Sequence, residues 1–328
     1  MSLNLVKPTQ KKIDELVQNI CQKYNLDFEE IVNIFGNKGK EKEKEKSNNL
    51  KKNPKRESSV ITLTFCDSSE NHIGMEQNGN KGVQTDAFDI KDLETIQNKL
   101  EKLGVECEMI YLNDYCDKDL IPEKVKNSFE DAFVLVIRNG VNYLLNDKGN
   151  TNQLFEELLF KQLDSEWDTK YWDGRRKKVL NKHARANVCI SNKSQKPDYE
   201  NKKGTIICYN DLPLVNKIKN ELENLIGEKG KELECEGNLY FDKEKCGIGY
   251  HGDAERVKVI GIRIGEMKLC YHWYLNSQPI GKKCEIELKD GDIYLMSYKS
   301  VGNDWKKKSI MTLRHSAGCD FYTNIKNK

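Results

Sequence analysis

None of the eleven cysteines stands in a Cys-x-x-Cys pair, which removes the usual zinc-knuckle and dithiol signatures. The odd count also argues against a disulfide framework. These thiols read as reduced, so an intracellular chain, cytoplasmic or nuclear, is expected. No run of about 18 apolar residues occurs, and the opening MSLNLVKPTQKKIDELVQNI lacks the apolar core of a signal peptide, so no membrane association is expected. An excess of one charge is missing too: 54 Lys plus Arg face 52 Asp plus Glu. Net charge therefore argues neither for nor against a polyanionic partner, and any nucleic-acid site must come from local clustering. No phosphate-loop glycine pattern appears. Histidine is scarce, with five in the chain, so a metal site built on imidazole has few candidates.

What is present suggests two folded units and a linker. Residues 1–35 place Ile13, Leu16 and Ile20, then Leu26, Ile31, Ile34 and Phe35, at helical spacing, giving a short helical segment. Residues 36–59 alternate Lys with Glu and hold almost nothing apolar, which predicts a charged flexible linker, with a basic arm as the alternative. In residues 60–150 the strand VITLTFC (60 to 66), the helix DIKDLETIQNKLEKLG (89 to 104) and the strand CEMIYL (107 to 112) form a βαβ pattern. With AFVLVIRNGVNYLL (132 to 145) they predict a small α/β accessory domain, a possible protein-recognition module. Between its first strand and helix, Asn71 and His72 mark a polar loop where α/β folds place sites.

From 151 the pattern changes. A helix, QLFEELLFKQLD, leads into WDTKYWDGRRKKVLNKHARANVCI, where aromatics interleave with cations including Arg175 and Arg176. This combination suits stacked bases and phosphates, and equally a solvated loop with inward tryptophans. After the amphipathic helix LPLVNKIKNELENLI (212 to 226), short alternating strands follow one another with turn residues between. That rhythm predicts a β-sandwich or jelly roll.

His251 and Asp253, two residues apart, extend toward one side of the chain and can offer an imidazole and a carboxylate to one ion. A third ligand must come from a distant strand, and two histidines lie downstream, His272 and His315. His272 comes too early, on a strand that would neighbour the site. Two His and one carboxylate, with three positions open, is the ligand set of non-haem Fe(II) oxygenases.

The segment GNLYFDKEKCGIGYHGDAER, with Asn238, Tyr240, Ile248, Gly249, His251, Asp253 and Glu255 in order, resembles the AlkB-like branch of the 2-oxoglutarate and Fe(II)-dependent dioxygenases. VIGIRIG and LKDGDIYLMS (288 to 297) fit the strands that follow. The resemblance covers the C-terminal part of the chain and leaves 60–150 outside. It implies an α+β fold with a C-terminal double-stranded β-helix, or jelly roll, and flanking helices over 151–328. It implies Fe(II), 2-oxoglutarate and O2 as cofactor and cosubstrates, with His251 and Asp253 as ligands and Asn238 and Tyr240 as cosubstrate contacts. By analogy the activity is oxidative demethylation of alkylated nucleic acid, DNA or RNA. A protein hydroxylase and a catalytically degenerate jelly-roll binding protein are the alternatives.

The C-terminus departs from the family pattern, and two registers compete. In one, LRHSAG supplies the third ligand as His315 and leaves only Lys326 as a downstream cation. In the other, Arg314 pairs with the cosubstrate carboxylate and Lys308 stands six residues earlier, which leaves no third ligand; iron on two protein ligands should bind weakly, so His315 is the expected third ligand of an active enzyme. Arg263 is a further carboxylate partner, because it faces the same way as Gly261, a position that lines the cosubstrate pocket in the family. In VGNDWKKKS (301 to 309), Trp305 could stack a base and Lys306 could meet a phosphate.

Overall fold

A computed structural model of the chain describes residues 54–146 and 150–325. In it every residue of the VITLTFC run is buried, as in a strand covered on both faces and flanked by neighbours. This strand, β1 (Val60–Cys66), lies between β10 (Glu234–Tyr240) and β12 (Ile260–Ile264), antiparallel to both. Beyond β10 come β8 (Ala186–Ser191) and β9 (Ile206–Cys208). Beyond β12 come β15 (Ile293–Met296), β5 (Phe133–Ile137) and β4 (Cys107–Tyr111), giving eight strands in the order β4-β5-β15-β12-β1-β10-β8-β9. Among the described strands only β8 and β9 pair in parallel.

A second sheet has four strands in the order β11 (Gly247–His251), β16 (Thr312–Gly318), β13 (Met267–Leu275) and β14 (Gln278–Leu288). The two sheets share one apolar core: Val134, Val136 and Met296 come from the large sheet, and Trp273, Ile286 and Leu313 from the small one. From β10 onward the chain steps from sheet to sheet, with β13 and β14 as a hairpin inside the small sheet. The place between β10 and β12 is taken by β1, from the front of the chain. Two ribbons stand outside the sheets, β2 (Ser68–Glu70) with β3 (Gln77–Gly79) and β6 (Lys170–Asp173) with β7 (Lys178–Asn181).

Helices are few. Helix α1 (Ile90–Glu101) starts at a reciprocal cap, in which Asp89 accepts from the Asp92 N–H and Asp92 from the Asp89 N–H. It buries Leu93, Ile96 and Leu100 and lies against β4 and β5. Helices α2 (Gly140–Leu145) and α3 (Asn150–Glu157) pack on α4 (Pro213–Ile226), which also touches α1. The protein is a mixed α+β chain with a large, mostly antiparallel sheet. No helix of the described residues is long and apolar enough to cross a membrane.

Three expectations change. Residues 60–150 are not a separate accessory domain, because β1 is hydrogen-bonded between β10 and β12 and β5 is paired to β15. The βαβ spacing is present, but its first strand, β1, pairs with strands more than a hundred residues away, and its second, β4, pairs with β5 at the sheet edge instead of with β1. The linker ends earlier than 59: Arg56 pairs with Asp290 at 2.6 Å and Ser59 is buried. The helix read from QLFEELLFKQLD stops at Glu157, and Phe160 takes a left-handed conformation. The helical segment 1–35 and the linker up to residue 53 lie outside the described residues.

Candidate metal centre

Strands β11 and β16 are antiparallel neighbours, and in their register His251 stands directly across from His315. After His251 the chain leaves the sheet through Gly252. A Cβ at this position would come within 2.1 Å of the Gly302 carbonyl oxygen, so only glycine fits. That close approach lets the Asp253 N–H donate to the Val301 carbonyl at 3.0 Å, while the Asn303 amide donates to the Asp253 carbonyl at 2.8 Å. Lys81 adds a 2.6 Å bond to the Ala254 carbonyl. Backbone contacts on both sides thus hold the aspartate opposite the two rings.

The Asp253 Oδ1 lies 3.6 Å from His251 Nε2 and 3.7 Å from His315 Nε2. The ring centroids are 4.5 Å apart, and one ligand atom from each residue falls within 4.8 Å of the others. Together the three can hold a metal ion. Burial, then the neighbouring His315, pushes His251 down to about 3, so its imidazole is neutral near pH 7. Its Nδ1 sits 2.8 Å from the Gly249 carbonyl, which selects the tautomer with a lone pair on Nε2. Burial disfavours the Asp253 charge, but Arg256 and the imidazoles outweigh it and hold the carboxyl well below its usual range. Arg256 is itself clamped by Glu236 at 2.5 Å and Glu255 at 2.7 Å.

A cavity of about 320 Å³ opens over these three residues. Its far wall is the large sheet, contributing Thr62 and Thr64, Asn238 and Tyr240, Arg263, and Tyr294 and Met296. Arg263 is 1% exposed. Its guanidinium donates to the Thr62 hydroxyl at 2.5 Å and touches the Met267 sulfur at 3.6 Å, while its Nε has no partner. No carboxylate of the described residues pairs with it. A buried cation with no counter-charge is costly to hold, and this one borders the cavity.

No protein-family model matches the sequence. Uncharacterized protein R156 of Acanthamoeba polyphaga mimivirus is 44% identical over 264 residues, covering 80% of this chain and 96% of the viral protein. The chain belongs to the family of that viral protein. Since this relative is uncharacterized, membership brings no activity with it, and function has to be argued from the site.

The structure gathers His251, Asp253 and His315, and on the cavity wall Asn238, Tyr240 and Arg263. Trp305 and Lys306 also line the cavity, as do Asn71 and His72. Arg314 does not. One residue from His315 on β16, it projects to the other side of the strand, where its guanidinium lies 4.2 Å from the Tyr274 ring centroid and 5.3 Å from that of Trp305. The register that made Arg314 a cosubstrate contact is therefore not the one adopted. Lys308 is exposed and outside the cavity lining, and Lys326 lies outside the described residues. Arg175 and Arg176 are exposed at the turn of the β6–β7 ribbon, away from the cavity wall. The ribbon meets the cavity through Tyr171, stacked on His72 with centroids 3.8 Å apart.

Several residues of the lining, and Lys182 behind it, escaped the sequence reading. Thr62 and Thr64 alternate with apolar residues in VITLTFC, a visible sign of one polar face. Glu70 ends β2, and burial, then Glu255 and Glu236, pushes its carboxyl up to about 7. Lys182, buried, donates to both oxygens of Asn71 and to Asn187, whose amide in turn donates to Asn238. Glu70 adjoins Asn71 in the polar loop and Lys182 lies within the cationic stretch, but nothing in the sequence sets either apart from its neighbours.

Proposed function

We propose that the chain is an Fe(II)- and 2-oxoglutarate-dependent dioxygenase whose two facing sheets form a double-stranded β-helix completed by β1. The observation that carries this reading is the His251–Asp253–His315 set facing an unpaired buried arginine, Arg263, across one cavity. The donor set fits the metal: two imidazoles and one carboxylate leave room for further ligands, as in non-haem iron oxygenases. Bound there, Fe(II) with 2-oxoglutarate and O2 would supply C–H hydroxylation, the 2-oxoglutarate leaving as succinate and CO2.

The chain's own residues supply position and exclusion. Arg263, held by Thr62, meets the remote carboxylate of 2-oxoglutarate, for which a guanidinium fork is suited. Tyr240 and Asn238 border the same space; the Asn238 carbonyl already accepts from Arg185 at 2.7 Å, which fixes its orientation. Ile248, Leu269, Met296 and Ala317 give the cavity apolar walls that limit water.

The substrate in this reading is alkylated nucleic acid. Trp305 at the lining offers a ring for stacking, and Lys306, 5.5 Å above that ring, offers a charge for a phosphate. Arg175 and Arg176 extend the cationic surface on the β6–β7 ribbon. Hydroxylation of an N-methyl group gives a hemiaminal that releases formaldehyde, and a base in a duplex must first leave the stack.

The test is Fe(II)-dependent conversion of 2-oxoglutarate to succinate, abolished in His251→Ala, together with formaldehyde release from methylated DNA and RNA oligonucleotides. Succinate formation without release from any oligonucleotide would redirect the substrate to protein side chains. Absence of both would leave a jelly-roll binding protein.

A further inference from the structure

Gly261 sits inside β12, where its backbone is ordinary extended strand and needs no glycine. Glycine in a strand interior weakens it and marks a place where something comes close. Here that something is Tyr294, its cross-strand partner on β15. A Cβ on residue 261 would fall 1.9 Å from the Tyr294 Cζ and 2.3 Å from its hydroxyl oxygen, so the phenol lies flat over the missing side chain. Alternation on β12 puts Gly261 and Arg263 on one face, and β1 carries Thr64 and Thr62 opposite them in the register.

Tyr294 is 4% exposed and lines the cavity, yet its hydroxyl bonds to no described residue. The hydroxyl is not among the fully buried atoms left without a partner, so it faces the cavity with its donor open to a ligand there. Burial, opposed by Arg263, pushes its pKa up to about 12, so it remains a hydrogen-bond donor at any working pH.

We propose that Tyr294 donates a hydrogen bond to the carboxylate that Arg263 binds, and that Gly261 is the notch that lets its ring reach there. The inference rests on the cosubstrate reading above and adds to it a residue from β15 and the reason for a glycine on β12.

Calorimetric titration of 2-oxoglutarate into full-length protein loaded with Mn(II) tests it without turnover. Tyr294→Phe, which keeps the packing, should weaken 2-oxoglutarate about tenfold or more, the effect of one lost bond to a charged group, with Mn(II) affinity unchanged. Gly261→Ala should weaken it at least as much in the native background and add nothing in a Tyr294→Ala background, where no ring remains to displace. Native affinity in Tyr294→Phe would overturn the proposal, as would equal harm from Gly261→Ala in both backgrounds. A wild-type protein that binds Mn(II) but no 2-oxoglutarate would overturn the cosubstrate reading and this inference with it. Binding that survives in Tyr294→Phe but fails in Arg263→Met would leave that reading standing and reject this one.

Discussion

His251 and His315 are direct cross-strand partners on adjacent antiparallel strands, with ring centroids 4.5 Å apart and Asp253 Oδ1 within 3.7 Å of both Nε2 atoms. Each imidazole stands on a different strand, so neither depends on the other for its placement. Replacing either with alanine should leave the fold intact and cost more metal affinity than the roughly 10- to 100-fold typical of losing an outer partner of a metal ligand. Mn(II) titration followed by electron paramagnetic resonance measures this, and unchanged binding in either variant would contradict the assignment.

Arg263 is a buried cation with no carboxylate partner among the described residues. Arg263→Met should therefore hold or raise the melting temperature of the ligand-free protein, since a buried unpaired charge is replaced by an apolar chain of similar reach. The same change should abolish the thermal shift that the proposed function predicts for 2-oxoglutarate with the native protein. Differential scanning calorimetry with and without 2-oxoglutarate reads both effects, and a retained shift would exclude Arg263 from the carboxylate site.

Glu70 lines the same cavity with its carboxyl raised from 4.5 to about 7. A carboxyl with a higher pKa folded than unfolded favours folding while protonated. Its contribution is present below about pH 4.5 and is lost as pH rises toward 7. Glu70→Gln, which keeps the neutral form at every pH, should match the native protein at low pH and become the more stable of the two above pH 7. Urea midpoints taken across that range decide it, and equal stability at pH 8 would refute the shift.

Leu63 in the centre of β1 is fully buried. Since β1 is shared by β10 and β12, Leu63→Ala should cost about 2–5 kcal/mol in one cooperative transition. It should also speed hydrogen exchange in β10 and β12 together. Protected β10 and β12 beside an unfolded front segment would instead mean that residues 60–150 form an independent domain.

The parts of this site legible in the sequence were those set by short spacing. His251 and Asp253 lie two residues apart, so local geometry alone brings them together, whereas Asn238 and Tyr240 came from the resemblance to the AlkB-like dioxygenases. Arg263 followed from its alternation with Gly261, a position that the resemblance puts at the cosubstrate pocket. The expectation of His315 rested on the need for a third ligand, and keeping Arg314 as a cosubstrate contact missed that adjacent residues of a strand face opposite sides, which the register with β11 decides. The place of β1 was hidden for a related reason: its partners, residues 234–240 and 260–264, lie far along the chain, and strand pairing leaves no mark in local composition. Thr62 and Thr64 showed a polar face without showing that it lines a cavity. The notch at Gly261 became visible only once Tyr294 was seen lying across it.

The central claim is that one ion and one dicarboxylate share the cavity between the two sheets. A crystal structure of the protein soaked with Mn(II) and 2-oxoglutarate tests it most directly. The expected result is metal density bonded to His251 Nε2, Asp253 and His315 Nε2, with the far carboxylate on Arg263. Metal bound elsewhere, or a dicarboxylate that leaves Arg263 unpaired, would contradict it.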